Sequence, residues 1–395
     1  MKLRISPARV GGAVLAVGVL ALAACSSASS QGSTAAGTPS ASSSGGASAV
    51  APGGATSAEV AVAGSAVAKA SAIPTAIPVT APLPSAPPKG KTVLFMQCEE
   101  VECTFEGVGM KAAAAALGWN YKVLNYQAAN PATLVTALMA GLQYHPVAAF
   151  FSGVPQEAWQ SVQKAYKAAG AVLVDNFLDA VPTGTAVVPG RAYQADMTAL
   201  GTVLADEQIA DSGGAPAKSL IVNVPTYDVF GPLVTAYKAV LAKDCSACQA
   251  TEVNVTLPQM LAGGLNAAVV SAAKRVSGLQ YIVSTNGSFT DQLPQALKAA
   301  GLGGKFKVIS GQGVALDQQN VLDGDQLATV SSPLTLSGWQ DVDMAIRLVM
   351  RLPIPAGDQQ VPWVLLTKSN IGGPEDSFDR PANYAEQFER LWRVG

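Results

Sequence analysis

From residue 92 onward, short unbroken apolar runs alternate with longer stretches in which apolar positions recur every three or four residues. Val93, Leu94, Phe95 and Met96 form the first run, and a run without polar interruption suits a strand buried on both faces of a parallel sheet. It stops at Gln97. Residues 98–105 are polar and acidic, after which Val108, Ala112, Ala115, Ala116 and Leu117 fall at helical spacing up to Gly118, a residue that tolerates the left-handed geometry of a helix end. The unit then recurs. A strand over 121–126 leads to a helix from Asn130, with Pro131 at its first position. A strand over 147–151 runs into Ser152-Gly153-Val154-Pro155 and a helix over 156–169 that Gly170 closes, and an apolar strand over 171–174 ends on Asp175-Asn176-Phe177. Such repeats predict a parallel sheet with right-handed crossovers and helices on both faces, whose ligand crevice lies at the carboxyl ends of the strands. Residues 98–105 are therefore a candidate binding edge.

A less regular stretch, 178–190, interrupts the rhythm. It resumes as a helix over 192–210, a strand over 219–224, a helix over 232–242, a strand over 252–255, a helix over 258–276 and strands over 280–284 and 306–309. Two sets of similar size predict two similar lobes. The remaining segments, 327–330, 337–351 and 363–367, are too few for a third domain and read as the chain crossing back to complete both sheets. The expected fold class is α/β, with two similar doubly wound parallel-sheet lobes joined by a multi-segment hinge. The lobes are expected at 89–190 with 334–361 and at 191–333 with 362–395.

The first 88 residues follow a different pattern. Lys2, Arg4 and Arg9 precede an apolar stretch of about 13 residues, short of the roughly 20 that a membrane-spanning helix needs, and Leu22-Ala23-Ala24-Cys25 follows at once. This predicts a cleaved export signal over 1–25. The last four residues resemble the lipobox of bacterial lipoproteins, which implies lipidation of Cys25 and cleavage just before it; the alternative is an ordinary secretory signal with a chance cysteine. From 26 to 88 the residues are mostly Ser, Ala, Gly, Thr, Pro and Val, with only Glu59 and Lys69 charged. Such a composition buries too little apolar surface to offset the entropy of ordering, and the expectation is a disordered tether with an r.m.s. span of about 45 Å. The whole chain carries a formal net charge of -2, and loss of the first 25 residues leaves 22 Lys+Arg against 27 Asp+Glu. With no basic run, nucleic-acid binding has no electrostatic support.

The run from 91 to the end resembles a type I periplasmic binding protein of the ribose-binding kind, the substrate-capturing component of ABC sugar importers. The resemblance rests on GMKAAAAALGW at 109–119, SGVP at 152–155, VLVDN at 172–176, VSTN at 283–286, ISGQG at 309–313 and GWQDVDMAIRLV at 338–349, in that order and at strand ends. It implies a ligand held between the lobes by strand-end side chains and aromatic faces. Carried over, the first-loop site falls at 98–105, including Glu99, Glu100 and Phe105; the family's acidic residue after the fourth strand falls at Asp175, its asparagine at Asn286, and its second-lobe aspartate at Gln312. Ser152 and Asn176 lie at the same strand ends. Asp175 and Asn286 offer acceptors and paired donors to adjacent hydroxyls, and Phe151, Phe177, Tyr227 and Trp339 are candidate apolar faces. Trp339 is equally readable as packing, at helix spacing with Val342 and Ile346. The chain departs from the family's pattern in two places. The loop 225–230 has no arginine, and Gln312 stands where a carboxylate is usual, so the clamp expected for a simple pentose is incomplete.

Cys98 with Cys103 and Cys245 with Cys248 form two local pairs, and an exported chain favours two disulfides. Free thiols stay open, as does metal or redox chemistry, though a shared zinc ion would have to bridge the cleft edge and the opposite end of the second lobe. Glu99, Glu100 and Glu102 read either as a solvated loop or as ligands for a cation or a polyhydroxylated molecule. His145, the only histidine, has no catalytic partner, so Ser-His-Asp chemistry is excluded, and no phosphate-binding glycine motif follows a strand. The expected function is therefore not enzymatic and needs no cofactor or metal: a monomeric, lipid-anchored extracytoplasmic protein that delivers a small polar ligand, most of all a carbohydrate, to an ABC permease. The alternatives are a receptor for a membrane sensor and a binder of an amino acid, polyol or autoinducer-like solute.

Overall fold

The computed structural model describes residues 53–395, so the export signal, Cys25 and residues 26–52 of the expected tether lie outside the described residues. In chain order the elements are α1 (Ser57–Ala70), β1 (Thr92–Gln97), α2 (Val101–Ala116), β2 (Asn120–Asn125), α3 (Ala132–Gly141), β3 (Ala148–Ser152), α4 (Gln156–Trp159), α5 (Gln163–Ala169), β4 (Val172–Asn176) and α6 (Gln194–Asp211). They continue with β5 (Lys218–Asn223), α7 (Phe230–Asp244), β6 (Gln249–Asn254), α8 (Leu257–Leu261), α9 (Leu265–Arg275), β7 (Leu279–Ser284), α10 (Leu293–Ala299), β8 (Lys307–Gly313), α11 (Ala315–Asp323), β9 (Ala328–Ser331), α12 (Leu334–Met350), β10 (Leu365–Leu366) and α13 (Tyr384–Trp392). One sheet has the order β2-β1-β3-β4 and the other β10-β9-β8-β7-β5-β6. All pairings are parallel except β10 on β9, which is antiparallel at the sheet's edge. The central strands β1, β3, β5 and β7 are buried on both faces, as their apolar runs require.

Each sheet has its own core, and the cores show where the chain changes lobes. The first contains Leu94, Phe95, Phe150 and Val174 together with Trp339, Ile346, Phe388 and Trp392. The second contains Leu200, Leu204, Ile221, Ile282 and Leu365. The chain therefore passes between lobes after β4, after β9, after α12 and after β10. The C-terminus departs from expectation. Residues 362–395 do not all belong to the second lobe: β10 does, but α13 returns to the first, where Trp392 stacks on Trp339 with ring centroids 5.2 Å apart and both Phe388 and Trp392 are fully buried. The helix α12 lies against α2 at the closest approach of two glycines. A Cβ on Gly109 would overlap the Thr335 carbonyl, and one on Gly338 would overlap the Glu106 carbonyl and the Met110 nitrogen.

The stretch 53–88 also departs from expectation. It is not a free tether. Thr56 and Glu59 form a capping box that opens α1, Lys69 lies in its last turn, and Ala63, Val60, Val67 and Ala70 pack into the second lobe's core. The chain then crosses to the first lobe, where Ile77, Val79 and Leu83 are buried. There the Leu83 N–H donates to the Leu391 carbonyl at 2.9 Å, and the Arg347 guanidinium donates to the Ala81 carbonyl at 2.7 Å. Composition pointed to disorder because few residues here are large, yet Ala55, Val60, Ala63, Val67 and Ala70 share the face that packs on the second lobe's core. The expected helices 156–169 and 258–276 are each broken, the first by a 3-10 turn after Trp159 and the second at Gly263, whose φ is +75°.

Candidate functional site in the interlobe cleft

In both sheets the strand order reverses beside the first strand, between β1 and β3 and between β5 and β7, and ligands of open α/β sheets bind outside the carboxyl ends at that switch point. Here the two switch points face each other across a cavity of about 100 Å³. The first lobe lines it with Cys98, Glu100, Glu102, Glu106 and Ser152, and the second with Tyr227, Phe230, Asn286, Phe289 and Gln312. Ligand pockets are commonly some 300–1,000 Å³, so the lobes stand closed on a space too small for most ligands.

The carboxylates are placed by the start of α2. Expectation had this helix beginning near Val108, but it begins at Val101, with Glu100 as an extended N-cap residue and Glu102 in its first turn. A disulfide between Cys98 and Cys103 ties the end of β1 to that turn, and a second joins Cys245 to Cys248 after α7. Both pairs are thus local, and a shared zinc site falls. From the helix start, hydrogen bonds reach across the cleft. The Tyr227 hydroxyl donates to Glu100 at 2.9 Å, while Asn286 Nδ2 and Ser288 Oγ donate to Glu102 at 3.1 and 2.9 Å. Burial lifts the Glu100 carboxyl above its ordinary range, against the pull of the Tyr227 hydrogen bond, and Glu102 and Glu99 push in the same direction as burial.

The second lobe supplies an aromatic wall. Tyr227 and Phe289 stack with centroids 6.0 Å apart, and Phe230 stands edge-on to both, at 6.4 and 5.7 Å. Two other lining residues hold left-handed backbones: Phe177 at φ 58° and Gln312 at φ 46°. Non-glycine residues rarely do so, and such conformations cluster at binding sites. Gln312 sits where the pairing of β8 with β9 shifts register, and its Oε1 accepts from Asn286 at 3.2 Å. Ser332 Oγ, on a residue 2% exposed, and Trp363 Nε1 have no partner among the described residues, and both residues line the cavity.

Beneath the first-lobe side lies a buried charge network. Arg191, fully enclosed, pairs with both Glu106 and Asp341. Asn176 Nδ2 donates to the same two carboxylates at 3.4 and 3.3 Å, and the Arg191 N–H donates to Asn176 Oδ1 at 3.0 Å. Ser152 Oγ joins Glu106 to the cavity at 3.3 Å. Burial pushes the Glu106 carboxyl upward, opposed by the Arg191 charge and reinforced by Asp341.

Of the residues expected at the site, Glu100, Ser152, Tyr227, Asn286 and Gln312 line the cavity, as does Phe177. The others do not. Phe151 is buried in the first core, edge-on to Trp159 at 5.2 Å. Asp175 is fully buried and accepts from Trp159 Nε1 at 2.9 Å, so its side chain turns into the lobe rather than the cleft. Asn176 serves the Arg191 network, and Trp339 is packing against Trp392, which decides between its two readings. Glu99 is exposed and accepts from the Ala128 N–H at 3.0 Å, and Phe105 is half-buried on α2 outside the cavity. A strand alternates its side chains, and the resemblance carried strand-end positions without saying which of them point inward. The sequence reading missed Glu106, Phe230, Phe289, Ser332 and Trp363. Glu106 was visible as one helical turn beyond Glu102, but nothing local announces that Arg191 will reach it.

No protein-family model matches the chain, and no curated protein matches it. Solved structures do. A sugar ABC transporter subunit from Rhodobacter sphaeroides is 18% identical, with a TM-score of 0.60 over 71% of this chain and 99% of its own. A 5-methylthioribose transporter solute-binding protein from Thermotoga lettingae, in complex with 5-methylthioribose, is 17% identical, with a TM-score of 0.62 over 78% and 99%. A periplasmic solute-binding protein from Actinobacillus succinogenes with bound D-allose is 15% identical, with a TM-score of 0.61 over 71% and 99%. At these identities the likeness is one of fold, and this chain has the two-lobed fold of type I periplasmic solute-binding proteins.

Proposed function

We propose that this chain is a non-enzymatic solute-binding protein that captures a small polar ligand, a sugar in the first instance, between its lobes and presents it to an ABC permease. The observation that carries the reading is the cavity itself. It lies at the facing switch points of the two sheets, and carboxylates of one lobe hydrogen-bond to side chains of the other across it. A ligand admitted when the lobes part replaces those contacts with its own hydroxyls and touches both lobes only when they close, which stabilises the closed form. The permease then reads the closed shape. Export and lipidation at Cys25, with the chain acting outside the cytoplasmic membrane as a monomer, complete the proposal. Among the described residues no helix is long and apolar enough to cross a membrane.

The experiment is a thermal-shift screen of the intact chain against sugars, polyols and amino acids, since a ligand of the native state raises the midpoint by mass action. A shift with a carbohydrate supports the reading; a shift only with amino acids or other non-sugar solutes removes the sugar from it.

A further inference from the structure

We infer that the cleft selects a positively charged ligand, a protonated amine that also carries hydroxyl groups, of the amino-sugar class. The inference rests on the solute-binding reading above and narrows its substrate. Every ionisable carboxyl or amine side chain lining the cavity is a glutamate: Glu100, Glu102 and Glu106, with no Lys, Arg or His among the described lining residues. Their partners across the cleft, Tyr227, Asn286 and Ser288, are neutral donors that satisfy lone pairs without cancelling charge. The buried cation beside the cavity, Arg191, is already paired with both Glu106 and Asp341, so it offers no free positive charge to a ligand. Two more acids, the buried Asp317 and the half-buried Asp291, feel the charge of Glu102.

Uncompensated carboxylates in a desolvated site are costly, and a neutral polyol leaves that cost in place. An ammonium group removes it, and the opposite wall suits one. Tyr227, Phe230 and Phe289 line that wall, and the quadrupole of an aromatic ring attracts a cation. The hydroxyl groups have waiting partners: Ser332 Oγ, almost fully buried, and the Trp363 Nε1 donor, neither of which has a hydrogen-bond partner among the described residues. The carboxylates are not gathered as a metal site would gather them; no cluster of three or more potential metal ligands occurs among the described residues. An organic cation fits what an ion would not.

The test is isothermal titration of the intact chain at neutral pH with matched pairs, D-glucosamine against D-glucose and D-galactosamine against D-galactose, with choline and putrescine as amines without a sugar ring. The expected result is at least about tenfold tighter binding of an amino member than of its parent. Glu102→Gln, nearly isosteric, and Tyr227→Leu should each reduce that preference by about tenfold, with thermal melts confirming that the variants fold. Equal or tighter binding of the neutral parents overturns the inference and leaves the sugar reading standing. Binding of choline or putrescine with silence from both sugar series keeps the charge selection and removes the sugar. Silence from every amine overturns the inference.

Discussion

The Tyr227 hydroxyl, on the second lobe, donates a 2.9 Å hydrogen bond to Glu100, the N-cap residue of α2 on the first. It is a latch. The bond joins the two lobes and runs to a carboxylate, which makes it stronger than one between neutral groups. Removing the hydroxyl by Tyr227→Phe should cost the closed form about 1–2 kcal/mol and move the unliganded chain toward an open shape. Small-angle scattering reads this as a larger radius of gyration than wild type. An unchanged radius would mean that the latch does not govern closure.

Among the described residues, the Arg191 guanidinium is the one countercharge paired with Glu106 and Asp341. Arg191→Met strands two buried carboxylates, and breaking such a pair from one side costs about 3–5 kcal/mol. Denaturant unfolding should show that loss, and adding Glu106→Gln and Asp341→Asn to the same chain should recover part of it. A single variant as stable as wild type would contradict the network's role.

The contact of α2 with α12 depends on absent side chains. At Gly338 a Cβ would overlap backbone atoms of Glu106 and Met110, neither of which can rotate away. Gly338→Ala should therefore destabilise by about 1–3 kcal/mol. Because Glu106 lies at that crossing, ligand affinity should fall as well, which titration would show.

Residues 53–88, the described part of the segment that composition marked as a tether, belong to the folded body, with Leu83 fully buried in the first lobe. Leu83→Ala should cost about 2–4 kcal/mol. Hydrogen exchange would show the loss concentrated in α13, since the Leu83 N–H holds the Leu391 carbonyl. No change in α13 protection would show the strap to be dispensable.

Glu207, buried on α6, has its carboxyl lifted by burial from 4.5 to about 7, with Asp211 adding to the rise and Lys307 opposing it. A raised acid binds its proton more tightly in the folded state. Its contribution is therefore fully present below about pH 4.5 and is lost as pH rises through 7. Melting temperatures measured across that window should fall more steeply for wild type than for Glu207→Gln, and parallel slopes would contradict the assignment.

Much of the fold was legible because the runs at 93–96 and 281–283 have the apolar continuity of central parallel strands, and glycines close several of the helices between them. The site was legible only in part. Glu100, Tyr227, Asn286 and Gln312 could be placed at strand ends, but the inward turn of Asp175 depends on Trp159, a partner in another element. Helix α1 was hidden because its apolar face is made of Ala and Val within a Ser- and Gly-rich stretch, although Thr56 and Glu59 carried a capping signature. The placement of α13 was hidden too, because nothing in its own residues says which lobe it will cover.

The central claim is that the ligand sits in this cavity. The direct measurement is the ligand-induced shift in melting temperature, using whichever compound binds the intact chain, compared across three variants. Asn286→Ala and Glu102→Gln should abolish or sharply reduce the shift. Asp175→Asn, whose side chain faces the lobe interior, should lower the baseline melting temperature and leave the shift intact. A shift that survives both cavity variants, or that Asp175→Asn alone removes, would place the ligand elsewhere.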